Sequence, residues 1–317
     1  MDKQKEFDVI CIGQVTQDIV MTNLELNTEK FFQNATCAEE LIFTSGGDAV
    51  NESVTLAKLG DRASLLARLD CSPVGNMILE DIEQHINTSL LVRREDCRVP
   101  SVVVAIQPDG EHYFLVGPSQ NYGLEPEDID FSVFERTKVV SAASLYSLGE
   151  MDGEGIRLVF RKAKACGAVT VADLNTDIKS LGPDAFHDLY KDIDYLLPSY
   201  EEAEYVTGQS ELPAMAQFFL EKGARHVVIK CGSKGAYYQD ADETFQIGAF
   251  PVKALDTTGC GDNFVAGFIH GLLKGWSHKK CVTFACATGA VNAMSYGGHL
   301  GVTGEEQILE FLKKNEI

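Results

Sequence analysis

Short apolar runs alternate along this chain with stretches whose apolar residues recur at helical spacing. Asp8 to Ile12 is an apolar strand, and Val50, Val54 and Ala57 then mark one face of a helix that Gly60 closes. Ala63 to Ala67 reads as the next strand. Ile156, Val159, Phe160 and Ala163 form a second helical stripe, closed by Gly167. Ala168 to Ala172 follows as a strand ending at Asp173, and His226 to Lys230 repeats the theme. Strands interleaved with helices imply an α/β fold: a mainly parallel sheet covered on both faces. In such sheets ligands sit at the carboxyl ends of the strands. The chain has 317 residues, of which 45% are hydrophobic, enough for a large core in a single domain spanning residues 1–317.

Two stretches depart from this rhythm. Residues 14–45 carry little helical periodicity. Residues 98–116 read as a hairpin, with Val102–Ile106 and His112–Leu115 on either side of Pro108-Asp109-Gly110. Together these pieces are expected to form a small separate sheet.

The segment with the clearest chemistry is Asp256-Thr257-Thr258-Gly259-Cys260-Gly261-Asp262, which opens a helix with apolar residues at Phe264, Val265, Phe268, Ile269, Leu272 and Leu273. Gly259 and Gly261 let the backbone approach a ligand, having no Cβ. The first amides of a helix have no partner within it, and with the helix dipole they stabilise negative charge ahead of them. Asp262 sits in the first turn, where its carboxylate could take a proton from an attacking hydroxyl. A plain N-terminal cap is the rival reading. Cys260 reads as an inert side chain with a useful amide; a thiol at a helix start can instead be acidic and reactive.

The formal charge of −20 disfavours a nucleic-acid partner. No apolar run is long enough to span a bilayer. The nine cysteines contain no Cys-x-x-Cys pair, which points to reduced thiols and a cytoplasmic protein rather than a disulfide or zinc scaffold.

The Asp256–Asp262 string closely resembles the C-terminal signature of the ribokinase-like, or PfkB, carbohydrate kinases, with Cys260 where alanine is usual. Three further segments resemble that family in order. Gly46-Gly47-Asp48-Ala49-Val50-Asn51, running to Leu59-Gly60, resembles its N-terminal signature. Leu197-Pro198-Ser199-Tyr200-Glu201-Glu202 resembles its Pro-Asn-x-x-Glu segment, and Val228 to Gly235 its nucleotide-binding strand and turn. The resemblance implies a three-layer α/β sandwich with a small β-sheet lid over the sugar, the lid falling at about 14–45 and 98–116. It also implies an ATP-dependent kinase that uses Mg²⁺, and a homodimer formed through the lid.

Position by position, the resemblance makes Asp262 the base, with Gly259, Cys260 and Gly261 giving amides to the phosphoryl group. Asp18, Gly46, Gly47, Asp48 and Asn51 would meet the sugar. Ser199, Glu202, Lys230, Gly232 and Gly235 would lie along the nucleotide, with Glu202 ordering Mg²⁺ through water. Asp256 and Thr258 leave a potassium ion beside the turn open. The chain departs from the family at three places. Ser199 replaces asparagine, Asp173-Leu174-Asn175-Thr176-Asp177 lacks the arginine of Asp-x-Asn-x-Arg, and Asp48 stands where ribokinases carry lysine. The acidic Asp18 and Asp48 favour a neutral sugar over a sugar acid or a sugar phosphate, because a phosphate calls for a cationic clamp. A nucleoside kinase of the same fold, consistent with Phe31, Phe32 and Tyr113, is the alternative enzyme. A catalytically silent sugar-binding protein is the alternative outside enzymes.

Overall fold

A computed structural model describes residues 5–24, 37–107 and 112–315. From one edge, the main sheet runs β4 (Ala63–Leu66), β1 (Phe7–Ile12), β9 (Thr137–Leu145), β10 (Val169–Leu174), β11 (Tyr195–Leu196), β12 (His226–Lys230), β13 (Ala236–Gln239) and β14 (Thr244–Ile247). Pairing is parallel from β4 to β12, and antiparallel for the last two strands. The alternation along each strand builds two cores. Val9, Cys11, Val139 and Val228 face one side, where they meet α1 (Asp48–Lys58), α2 (Pro73–Ile82), α6 (Cys260–Leu273), α7 (His278–Ala293) and α8 (Glu305–Lys314). Ile10, Ile12, Val140, Val227 and Ile229 face the other, against α3 (Glu154–Ala165), α4 (Tyr200–Thr207) and α5 (Leu212–Glu221). The result is the three-layer arrangement that strand–helix alternation predicts.

A separate four-stranded sheet has the order β3 (Leu41–Gly46), β2 (Thr16–Met21), β7 (Ser101–Ile106), β8 (His112–Val116). The irregular stretches of the sequence supply these strands, with β3 running one residue past the expected limit. The hairpin turn at 108–110 and part of the 14–45 segment, including Phe31 and Phe32, lie outside the described residues. Register places Asp18, Thr44, Val102 and Val116 on one face of this sheet, which also carries the small core of Val20, Val104 and Ile106. The other face carries Ile19, Phe43, Val103 and Leu115, of which Phe43 and Leu115 are exposed. A two-stranded parallel piece, β5 (Arg68–Asp70) with β6 (Val92–Arg94), connects the two sheets along the chain.

Strand order reverses around β1, since β4 lies on one side of it and β9 on the other. Helix α1 starts in front of this switch point, where an open α/β sheet leaves a crevice for ligands.

Candidate active site

Gly259 caps α6 in the left-handed region at φ 71°. A side chain there would also collide with the carbonyl of Gly298, so both backbone conformation and space require glycine. The amide of Cys260 is engaged by the Thr257 carbonyl at 3.2 Å, while no described group accepts from the amides of Gly259, Gly261 and Asp262. Among the described residues the amides left without an acceptor at this helix start are therefore those of Gly259, Gly261 and Asp262, whereas Cys260, expected from sequence to offer its amide, has it engaged. The Cys260 thiol is pushed up to about 12 by burial and by the charge of Asp256. Burial thus speaks against the acidic-thiol alternative.

Asp262 accepts a hydrogen bond from Asn51 Nδ2 at 2.8 Å. Burial raises its pKa well above the usual carboxylate range, and the charges of Asp48 and Asp173 add to this. The Asn51 amide and Lys230 oppose the rise. Asp262 is thus an unusually basic carboxylate at a helix N-terminus, with its position set by a neighbouring amide.

Gly47 precedes α1 at φ 95°, and a Cβ there would come within 2.6 Å of the Gln14 carbonyl oxygen. A Cβ on Gly46 would collide with the Asp18 carboxylate, so the glycine is what admits that side chain. Asp18 is buried, takes a 2.7 Å hydrogen bond from Thr16 Oγ1, and has its pKa raised to about 6. Burial is the main cause; the charges of Asp48 and Asp256 contribute. The Asp18, Gly46, Gly47 and Asn51 group is therefore assembled where the small sheet meets α1.

Beyond it lies an open cleft of about 660 Å³, lined among others by Asp48, Asp173, Glu202, Lys230, Gly261 and Asp262. Lys230, at the end of β12, pairs with Asp173 and also feels Glu202 and Asp262. Lys230 is expected along the nucleotide; in the structure it lines the cleft, with the carboxylates of Asp173, Glu202 and Asp262 around it. Asp48 is expected against the sugar; its carboxylate is held by Ser144 and by Asn175 Nδ2, the latter at 3.0 Å, and it lines this cleft. Both partners stand at strand ends, on β9 and just past β10. Ser199 caps α4 in a reciprocal capping box: its amide donates to Glu202 Oε2 at 2.7 Å, and Glu202's amide donates to Ser199 Oγ at 3.2 Å. Serine thus preserves the cap that orders Glu202 at the cleft. Gly232 and Gly235 both have positive φ, and a side chain on Gly235 would collide with the Ile247 carbonyl.

Sequence reasoning missed the loop after α7. Asp256 accepts from the amides of Thr258 at 2.8 Å and Gly297 at 2.9 Å, while Asn292 Nδ2 donates to the Thr258 carbonyl at 3.0 Å. His299, at the far side of the same loop, bonds Asn51 at 3.0 Å. The Gly297-Gly298 pair was the available signal.

A model of the pfkB family carbohydrate kinases matches residues 7–303. The ribokinase of Staphylococcus aureus (strain COL) is 24% identical over 270 residues, covering 83% of this chain and 86% of its own. An ATP-dependent 6-phosphofructokinase of Thermoanaerobacterium thermosaccharolyticum is 24% identical over 296 residues, covering 90% and 88%. Among solved structures, Arabidopsis thaliana ribokinase complexed with ribose and ATP superposes with a TM-score of 0.78 at 21% identity, covering 97% of this chain and 99% of the other. With the signature turns, the sandwich and the small sheet all in the matched region, this chain belongs to the pfkB family of carbohydrate kinases.

Proposed function

We propose that the protein transfers the γ-phosphoryl group of ATP to a hydroxyl of a neutral, unphosphorylated sugar, with Asp262 as the general base. The observation that carries this reading is the Asp262 carboxylate, made basic by burial and held by Asn51 beside unpartnered amides at the start of α6. The carboxylate takes the proton of the attacking hydroxyl as the new P–O bond forms and the bond to the ADP leaving group breaks. The amides of Gly259, Gly261 and Asp262 stabilise charge on the transferring group. Asp18 accepts hydrogen bonds from sugar hydroxyls, and the glycines at 46 and 47 let the sugar reach the backbone.

The nucleotide fits the 660 Å³ cleft, along Ser199, Lys230, Gly232 and Gly235. The oxygen-rich donor set of Asp48, Asp173 and Glu202 suits Mg²⁺, with Glu202 acting through water. The ion, when bound, neutralises charge on the phosphates. Thr258 Oγ1, beside Asp256, is buried without a hydrogen-bond partner among the described residues, which supports a monovalent cation there. The small sheet acts as a lid that excludes water from the phosphoryl group. Its outward face, with Phe43 and Leu115 exposed, suits a homodimer formed lid to lid.

The neutral-sugar assignment rests on charge. Asp18 and Asp48 flank the path to Asp262, and Lys230 is already paired with Asp173. A phosphate on the sugar would meet carboxylates, and among the described residues no arginine lines the cleft. The test is steady-state kinetics with Mg-ATP on a matched panel of neutral sugars, sugar acids and sugar monophosphates, in sodium and in potassium buffers. Neutral sugars should give the highest kcat/KM. A tenfold higher value for any phosphorylated sugar than for every neutral one overturns the charge argument. Equal rates in sodium and potassium remove the monovalent site.

A further inference from the structure

Asn51, Thr55 and Lys58 lie on one face of α1, four and seven residues apart. All three are bonded into the catalytic region. Thr55 Oγ1 donates to Asn263 Oδ1 at 2.8 Å, and Asn263 Nδ2 donates to the carbonyls of Gly259 at 2.7 Å and Gly298 at 2.6 Å. Lys58 Nζ donates to the carbonyl of His299 at 2.7 Å. The His299 ring, 2% exposed, then returns to α1, with Nδ1 3.0 Å from Asn51 Oδ1. A Cβ on Gly298 would lie 2.5 Å from that same Oδ1, so glycine is what allows the amide to pack against the loop.

An asparagine amide can point either way, and the hydrogen bonds at its two ends must agree. If Nδ1 of His299 carries the proton, it donates to Oδ1 and turns Nδ2 toward Asp262. If Nδ1 is unprotonated, the amide reverses and sets Oδ1 against the Asp262 carboxylate, a repulsive contact. Nδ2 also has two hydrogens. One serves Asp262 at 2.8 Å, and the second stays available for a substrate hydroxyl. Burial and the charge of Lys58 hold the His299 pKa down to about 4, which favours a neutral ring with one protonated nitrogen.

We propose that His299 is a positioning residue for the catalytic base: its Nδ1–H fixes the Asn51 amide, which in turn fixes the Asp262 carboxylate. This rests on Asp262 being the base. Buried at 2% exposure against Asn51, His299 acts through that amide rather than on the sugar or the phosphates. It acts by keeping the base within reach of the attacking hydroxyl, where displacement by about 1 Å can cost on the order of 10²-fold in rate.

The test compares His299→Leu, which fills the space without a donor, with His299→Asn, whose amide nitrogen can take the place of Nδ1. His299→Leu should lower kcat by about 10- to 100-fold with KM for ATP within about twofold, and His299→Asn should recover most of the loss. Equal kcat in the two variants, or full activity in His299→Leu, overturns the proposal. Asp262→Asn is measured alongside. Near-normal turnover in Asp262→Asn defeats the base assignment itself, whereas its loss together with full activity in His299→Leu defeats only the positioning role. Nitrogen-15 NMR of the wild-type protein gives a readout that needs no substitution. The His299 ring should be the neutral Nδ1–H tautomer, and a proton on Nε2 alone contradicts the proposal even if His299→Leu fails to fold.

Discussion

Burial of Asp18 should make the unliganded enzyme less stable than it could be, and replacing that residue should reveal by how much. The carboxyl pKa moves from 3.8 to about 6, chiefly through burial, with the Thr16 hydroxyl opposing and Asp48 and Asp256 adding to the rise. A carboxyl whose folded pKa is raised binds its proton more tightly in the folded state. Stability is therefore highest below the unfolded value, declines as pH rises between 3.8 and about 6, and is fully penalised above that. At about 1.4 kcal/mol per pH unit, the penalty at neutral pH is about 3 kcal/mol. Asp18→Asn removes the charge, keeps an oxygen that can accept from Thr16, and should be more stable than wild type by up to about 3 kcal/mol at pH 7.5. The same substitution should weaken sugar binding, because the carboxylate is the acceptor of sugar hydroxyls. The assay is urea unfolding of both proteins without ligand from pH 5 to 8, paired with KM for the sugar. The stability gap should open with rising pH and level off above about 6. An Asp18→Asn protein that is less stable than wild type at pH 7.5, or a gap independent of pH, refutes the reasoning.

Ser199→Ala should cost about 1 kcal/mol by removing the cap of α4, measured by denaturant unfolding, and should raise KM for ATP by freeing Glu202; Ser199→Asn should keep both near wild type. Cys260→Ala should leave kcat within about twofold, and the wild-type thiol should resist alkylation at neutral pH, since its pKa lies at about 12. Residues 112–116, whose Phe114 and Val116 are exposed on the face shared with Asp18, should gain hydrogen-exchange protection at saturating sugar and nucleotide; unchanged exchange there contradicts lid closure.

Much of this architecture is legible in local pattern. Strands β1, β10 and β12 are short apolar runs because both faces of the sheet are covered, and β7 and β8 are apolar runs on either side of the Asp109-Gly110 turn signal. The Asp256–Asp262 turn is legible because its glycines answer a local backbone need. What is not legible depends on distant residues meeting. Helix α7 shows no amphipathic stripe because it is buried on nearly every side. The parallel pairing of β2 with β7 joins segments some eighty residues apart. Asp48 is acidic next to a sugar-binding signature, yet Ser144 and Asn175 at two other strand ends decide where it points. That Lys230 is paired with Asp173 follows only from the fold bringing the ends of β10 and β12 together. His299 carries no motif, since its role comes from a loop folding back onto α1 some 248 positions away.

The central claim is that Asp262 removes the proton from the attacking hydroxyl. Asp262→Asn keeps the size of the side chain and an oxygen that can accept from Asn51, so the fold and the sugar site should persist. The decisive measurement is kcat of this variant beside its sugar affinity by calorimetry, on the best substrate of the panel. The account predicts a loss in kcat of about 10²- to 10⁴-fold with sugar affinity changed by less than about fivefold. A folded Asp262→Asn protein that binds sugar and turns over at a near-normal rate contradicts it.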